Sequence, residues 1–172
     1  MVEGGAESGY YLGLQPGYEC ANDEFNTVYE LSLIRGMTRE IYDRIVGSVT
    51  VYGSGKINLN TADKAVLDVL AQSAGADVMV AEGLAEKIME FRSAGGGFSE
   101  ASAMSIAGAI KGSGVLGAED ESILMQMMGS LTLKGSCFRG IAEGHKASFA
   151  AVSAVEFVYS REKERILFWR ED

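Results

Sequence analysis

The most informative stretch of the sequence reads Ile57-Asn58-Leu59-Asn60-Thr61-Ala62, and Gly83-Leu84-Ala85-Glu86-Lys87-Ile88 and Gly97-Phe98-Ser99 follow it. Apolar residues at helical spacing alternate here with glycine-rich breaks, a pattern that predicts paired helices. We expect Asn60 to cap the first helix, with Asp63 in its first turn near the positive helix end. Phe98 is expected to pack back on these helices. The stretch therefore predicts an all-helical domain.

This stretch resembles helix-hairpin-helix (SAM-like) modules, such as that of the competence protein ComEA. In those modules, hairpin amides and glycines hold a phosphate, which requires small residues and nearby cations. The segment between Leu70 and Gly83 looks too long for a tight hairpin, and it carries Asp77 and Glu82 instead of bases. Helix pairs packed around glycine turns are therefore the favoured interpretation, and a phosphate-binding hairpin is the alternative.

A second, earlier helix pair is predicted between Thr27 and Gly47. Thr27 and Glu30 have the spacing of a capping box, in which each side chain bonds the backbone amide of the other residue. Gly36 suits the left-handed end of a helix, and Thr38 suits the cap of the next one. This segment therefore looks like another copy of the helix-pair scaffold.

Two further features are predicted within the helical region. Val49 to Leu59 is expected to form a short β excursion around the turn Gly53-Ser54-Gly55. Glu119-Asp120-Glu121 is expected to open a last helix, which carries Met125, Met127 and Met128. These methionines suit either an adaptable docking surface or ordinary core filling.

The sequence changes character near Gly129. Beyond it, apolar residues alternate with polar ones along Phe149 to Tyr159, and Cys137 to Glu143 and Arg165 to Arg170 flank this run. Short turns, one of them at Gly144-His145, join the three runs, which predicts a three-stranded antiparallel meander. The chain is therefore predicted to be α+β, with a helical domain at 1–130 and terminal strands at 131–172.

Charge and hydropathy argue against several function classes. The net charge is −9, from 15 basic and 24 acidic residues, whereas a nucleic-acid binder needs a basic footprint. No stretch approaches the ~18 consecutive apolar residues of a membrane helix, and no secretory signal pattern begins the sequence.

Catalytic motifs find little support. His145 is the single histidine, it falls in a predicted turn, and no nucleophile elbow, metalloprotease or phosphate-loop motif is present. Cys20 and Cys137 lack metal-ligand spacing. They are expected either to form a disulfide, which a periplasmic location would permit, or to remain free thiols in apolar surroundings.

The order of motifs along the chain resembles the minor pseudopilin K family of type II secretion systems (GspK, general secretion pathway protein K). The matching segments are Gly5-Ala6-Glu7, Tyr10-Tyr11-Leu12-Gly13-Leu14-Gln15-Pro16-Gly17-Tyr18, Asn22 to Phe25, Glu30-Leu31, Arg35-Gly36-Met37-Thr38, Ile57-Asn58-Leu59-Asn60-Thr61 and Ile166-Leu167-Phe168-Trp169-Arg170-Glu171. They cover nearly the whole chain. The family pattern usually has a second proline where Gly17 stands.

The resemblance implies a non-enzymatic subunit that caps the pseudopilus tip with the I and J subunits and supports protein export. It implies a helical domain inserted into a pilin-like sheet, which is truncated here because the N-terminal membrane helix and the first strands are missing. The location would be the periplasm of a Gram-negative bacterium, at the inner membrane. Some family members bind calcium, for which the candidates are Asp23, Glu24, Glu119 and Asp120, although helix capping explains the last two equally well. The alternative function is a ComEA-type DNA-binding protein.

Overall fold

The computed structural model describes residues 6–99, 102–112, 116–145 and 152–171. The chain divides into two compact units, Met1–Val51 and Tyr52–Asp172. The first unit contains the short helices α1 (Ser8–Tyr11) and α2 (Arg39–Ile45), with a 3₁₀ helix at Val28–Leu33 between them. Helix and sheet are both present, as the sequence predicts.

Helix ends in the first unit follow the local sequence. The Glu30 carboxylate accepts a hydrogen bond of 3.0 Å from the Thr27 amide, as the predicted capping box requires. Gly36 has a φ of +89°, and the Thr38 hydroxyl accepts from the Ile41 amide to cap α2. The predicted capping box, the left-handed Gly36 and the Thr38 cap are confirmed, although the helix after Thr27 is 3₁₀.

The second unit is built on four helices, α3 (Lys64–Ser73), α4 (Val78–Ser93), α5 (Ala103–Lys111) and α6 (Ala118–Met127). A second 3₁₀ helix, Met128–Ser130, follows α6. Their apolar faces share one core, to which each fully buried large side chain contributes about 1.5–3 kcal/mol. Its principal members are Leu59, Leu67, Leu70, Leu84, Ile88, Phe98, Ile106, Ile110, Leu124, Met127 and Leu131. Phe98 packs on Phe91 at 4.8 Å between ring centroids, as predicted.

The helices begin at side-chain caps in the second unit, but not at the residue predicted for α3. The carboxylate of Asp63 accepts from the Val66 amide, that of Asp77 from Val80, and the Ser102 hydroxyl from Ser105. The prediction that Asn60 caps α3 is therefore wrong. Asp63 takes that role because it lies directly before the first helical residue, Lys64.

The predicted β excursion around Gly53-Ser54-Gly55 is reduced to one short strand. β1 (Ile57–Asn58) pairs in parallel with β2 (Leu131–Thr132), which comes more than seventy residues later in the chain. Val49 to Ser54 adopt no strand, and Gly53 and Gly55 have φ values of +113° and +72°. The local hairpin is wrong because the partner of β1 is distant in sequence.

The C-terminal segment forms the predicted antiparallel meander, with β3 (Cys137–His145), β4 (Val152–Ser160) and β5 (Arg165–Glu171) in that order. His145 is not in a turn, because it ends β3 opposite Val152. Phe149 and Ala151, predicted on β4, lie outside the described residues. A register shift between Val158 and Tyr159 leaves Leu167 as an extra residue on β5.

None of the helices in the described ranges has the length and apolar character that crossing a bilayer requires.

Candidate interaction surfaces

One face of the C-terminal sheet is apolar and uncovered. Strand pairing places Phe138 opposite Tyr159, Gly140 opposite Phe157, and Phe157 opposite Trp169. Because side chains alternate along a strand, these residues share one face. Trp169, the only tryptophan of the chain, is 53% exposed, and Ile166 beside it is 49% exposed. A contiguous apolar face of this kind is typical of a surface that binds another protein segment.

The apolar face has a defined shape around Gly140. The Phe157 ring lies directly over this glycine, so that a Cβ there would stand 2.8 Å from the ring atom Cε1. Phe157 also stacks on Trp169, with the ring centroids 6.4 Å apart and the planes at 28°. Gly140 thus provides the space that holds the aromatic pair in place on the surface.

The opposite face of the sheet carries a charged row. The Glu156 carboxylate on β4 pairs with Arg139 on β3 and, at 3.0 Å, with Arg170 on β5. Cross-strand pairs of opposite charge stabilise a sheet and fix its register. The two faces of the sheet therefore differ chemically, and the apolar one is the candidate interface.

The first unit is organised by tyrosines. The Tyr18 hydroxyl donates to the Leu33 carbonyl at 2.7 Å, and the Tyr11 hydroxyl accepts from the Arg35 amide at 3.1 Å. The Tyr11 ring contacts those of Tyr10 and Tyr18, at centroid distances of 5.2 and 5.1 Å. These contacts tie the N-terminal segment to the end of the 3₁₀ helix without an aliphatic core.

Tyr18 is electrostatically coupled to this tyrosine cluster. Partial burial, followed by the neighbouring Tyr11, Tyr10 and Cys20, raises the pKa of the Tyr18 phenol above its ordinary value. The neutral phenol, which is the form that donates to Leu33, is therefore favoured in the folded unit.

The turn that follows α1 is tight. A Cβ at Gly17 would lie 2.6 Å from the carbonyl oxygen of Leu12, closer than real contacts allow. The backbone at this point thus requires glycine.

The first unit exposes most of its apolar side chains. Tyr11 is its one buried residue among residues 6–51. Ten large apolar side chains in the same range are exposed: Tyr10, Leu12, Leu14, Phe25, Tyr29, Leu33, Ile34, Ile41, Val46 and Val49. A unit this small with so little buried apolar surface is only marginally stable by itself, so these side chains form a second candidate interface.

Asn60 joins three segments of the second unit. Its side-chain amide donates to the carbonyls of Phe98 and Leu133, at 3.0 and 3.3 Å, and its oxygen accepts from the Phe98 amide at 2.8 Å. Leu133 immediately precedes the linker to the sheet. The residue predicted as a helix cap is thus a cross-brace between the helical core and the segment that leads to β3.

The glycine turn between α3 and α4 does not present a phosphate site. α4 begins at Val78, earlier than the apolar pattern around Gly83 and Leu84 indicates, so the α3–α4 connection is short. Gly75 has a φ of +98°, but the carboxylate of Asp77 already occupies the helix N-terminus by accepting from Val80. A carboxylate at this place repels an anionic ligand.

The calcium candidates differ in their burial and in the contacts of their carboxylates. Asp23 and Glu24 are exposed in the first unit, where the Asp23 carboxylate accepts from the Glu24 amide at 2.8 Å. Glu119 is exposed on α6, whereas Asp120 is buried and accepts from Lys87 Nζ at 2.6 Å and from the Gly117 amide at 2.8 Å. Across the described ranges, no group of three or more His, Cys, Asp or Glu side chains is placed to hold a metal ion.

The remaining candidate residues are dispersed. Cys20 and Cys137 are free, half-buried thiols. Met127 is buried in the core and Met128 packs against it, whereas Met125 is exposed. Core filling therefore explains two of the three clustered methionines. The sequence analysis missed the density of tyrosines in the first unit, although five of the seven tyrosines of the chain fall there.

A protein-family model matches part of the chain. A family model described as type II secretion system (T2SS), protein K, matches residues 1–54, which is nearly the extent of the first compact unit. No curated protein matches the chain. The match to type II secretion system protein K therefore falls on the tyrosine-braced first unit and relates the chain to type II secretion.

Proposed function

We propose that the protein is a minor pseudopilin that caps the pseudopilus tip together with the I and J subunits. In this function it acts in the periplasm and binds neighbouring subunits by burying complementary surface. The observation that carries the proposal is the uncovered aromatic face of a C-terminal sheet in a chain whose first unit matches type II secretion system protein K. A packed helical core beside that sheet supports a rigid head, as the resemblance implies.

The proposed division of the subunit places a helical domain at residues 1–130 and the end of a pilin-like sheet at 131–172. The core of the second unit supports this division, because its members extend from Leu59 to Leu131 and no residue of β3, β4 or β5 is among them. Helix pairs of helix-hairpin-helix type are the proposed plan of the first part.

Trp169 provides a direct test. Purified globular domains of the I and J subunits are added to the protein, and two quantities are measured. These are co-elution and the emission of Trp169, the latter compared with that of the free protein. We expect co-elution and a change in the emission of Trp169 as its face becomes covered. Absence of co-elution at micromolar concentration contradicts the proposal.

A matched pair of variants locates the contact on the sheet. Ile166→Ser removes an apolar side chain from the aromatic face, whereas Ile141→Ser removes one from the opposite face, where it pairs with Glu156. Binding is expected to weaken by about tenfold in the first variant, which corresponds to ~1.4 kcal/mol, and to change little in the second. Equal affinities would show that the apolar face is not the interface.

Calcium binding remains a prediction of the resemblance. Of the two clusters, Asp23 and Glu24 are the better candidates, because the ammonium of Lys87 already neutralises Asp120. Calorimetric titration with calcium chloride, repeated on Asp23→Asn, tests this prediction. Heat of binding that persists unchanged in the variant would exclude Asp23 as a ligand.

A further inference from the structure

The exposed side chains of the first unit form a surface with a specific composition. Tyr29 on the 3₁₀ helix is 69% exposed, and Leu33 and Ile34 at the end of this helix are also exposed. Ile41 is exposed on α2, where the neighbouring Tyr42 contacts the Tyr29 ring at 6.4 Å between centroids. Tyrosine is enriched in protein interfaces because it combines a large apolar ring with a polar tip.

This surface is structurally braced. The Leu33 carbonyl is held by Tyr18, and the Arg35 amide by Tyr11, so the end of the 3₁₀ helix has a fixed position relative to α1. The Arg35 guanidinium also lies over the Tyr10 ring, 4.7 Å from its centroid. A pre-organised apolar surface loses less conformational entropy on binding than a mobile one.

The charge around the surface indicates the chemistry of its partner. Residues 6–51 contain seven acidic and three basic side chains. Of the basic ones, Arg35 faces an aromatic ring and Arg39 pairs with Asp43 at 2.9 Å. An apolar centre with an acidic surround is complementary to an apolar patch with a basic rim.

We propose that the surface formed by Tyr29, Leu33, Ile34 and Ile41 is a second docking site, which binds a basic-rimmed apolar patch on the globular domain of a neighbouring pseudopilin. The proposal rests on the proposed function and adds a contact on the first unit. It accounts for a unit that exposes ten large apolar side chains and buries one residue. It also places the contact on the unit that carries the family signature.

The test measures binding of the full chain to purified I and J globular domains by calorimetry. The double variant Tyr29→Ser/Leu33→Ser is compared with Val69→Ser/Met79→Ser, which removes two side chains of 67% and 82% exposure from helices of the second unit. The Leu33 substitution keeps the carbonyl that Tyr18 bonds. We expect at least about tenfold weaker binding to one of the two domains in the first variant and no change in the second.

A second measurement needs no variant. Hydrogen exchange of the wild-type chain is expected to slow across residues 28–46 when the partner domain binds, and the affinity is expected to fall as salt rises from about 50 to 300 mM. The second docking site is contradicted if hydrogen exchange across residues 28–46 does not change on binding, or if the two double variants bind with equal affinity. Either result leaves the proposed function intact. Failure of the wild-type chain to bind either domain overturns both.

Discussion

Gly17 illustrates how one residue fixes the path of the first unit. Its backbone passes so close to the Leu12 carbonyl that a methyl group has no room, and the chain returns from this turn to place Tyr18 against Tyr11. The composition of the segment predicts a turn, because proline and glycine are adjacent. That composition does not predict the close approach to Leu12, because the approach depends on the contacts that the tyrosines make.

Substitution of Gly17 by alanine is expected to destabilise the first unit by about 1–3 kcal/mol, because the new Cβ overlaps the Leu12 oxygen. Gly9→Ala is the matched control, since a Cβ at Gly9 meets nothing within 4 Å. Near-ultraviolet circular dichroism of the tyrosines during thermal unfolding measures both. Equal melting temperatures of the two variants would show that the turn adjusts to the added methyl group without a loss of stability.

Tyr18 predicts a pH dependence. Its folded pKa is raised, so the folded unit binds the phenolic proton more tightly than the unfolded chain does. Stability from this group is therefore present below pH 10 and is lost as the pH rises through the folded pKa. The ionised oxygen has no proton to donate to Leu33, which adds a physical reason for the loss.

Tyr18→Phe provides the check. This variant lacks the hydrogen bond at every pH, so its stability is lower at neutral pH and changes less between about pH 8 and 11 than that of the wild type. Denaturant unfolding at several pH values, with phenol ionisation followed by absorbance, separates the two effects. Parallel pH profiles would contradict the assignment.

Gly140 predicts a spectroscopic change on the sheet. Alanine at this position displaces the Phe157 ring, which stacks on Trp169. We expect altered tryptophan emission and a modest loss of stability, about 1 kcal/mol. Gly144→Ala is the control on the same strand, because its Cβ would make an ordinary contact of 3.7 Å with the Ser153 carbonyl. Identical spectra for both variants would argue against the stacked arrangement.

At the scale of elements, local sequence patterns predicted helices and strands, whereas the pairing of distant segments was not predicted. The helices around Leu67, Leu84 and Leu124 and the alternation along β4 follow from the 3.6- and 2-residue periods. The parallel pair of β1 and β2 was missed because its strands have two residues each and lie far apart in sequence. Periodicity carries no information about such a partner.

Asn60 belongs to the same class of long-range features. Its partners Phe98 and Leu133 are 38 and 73 residues away in sequence. The helix-cap prediction considered only neighbouring residues and therefore missed these partners. Asn60→Asp keeps the oxygen that accepts from Phe98 but removes both donated bonds and faces a carboxylate toward two carbonyls. The expected loss is about 1–3 kcal/mol in urea unfolding.

The control for that substitution is Asn58→Asp, which keeps the oxygen that accepts from the Asn60 amide at 3.0 Å. It is expected to be close to the wild type in stability. Hydrogen exchange near Leu133 is expected to accelerate in Asn60→Asp alone. The cross-brace has no structural importance if the two variants unfold at the same urea concentration.

At the scale of the molecule, the two units differ in what they bury. The second has a continuous core from Leu59 to Leu131, whereas the first is held by tyrosine contacts and hydrogen bonds. Amide exchange is therefore expected to be slowest in α3, α4 and α6 and much faster throughout residues 6–51. Mass spectrometry of peptic fragments measures this, and uniform protection of both units would contradict it.

The family match of residues 1–54 and the mixed fold class were both accessible from the sequence, because motifs such as Tyr10-Tyr11 and the change of pattern after Gly129 are local. The candidate interfaces were less accessible. Predicting the aromatic face requires the strand register that pairs Phe157 with Trp169. Predicting the exposed surface of the first unit requires knowing which apolar residues are not buried in a core.

The carboxylates that open the helices have a broader consequence. Asp63 and Asp77 each place a negative group of the protein itself at the start of a helix. Sulfated polysaccharides, lipid phosphates and stray nucleic acid consequently meet repulsion where amide dipoles would otherwise attract them. The starts of α3 and α4 therefore do not attract polyanions, and the exposed apolar side chains remain the candidate binding surfaces.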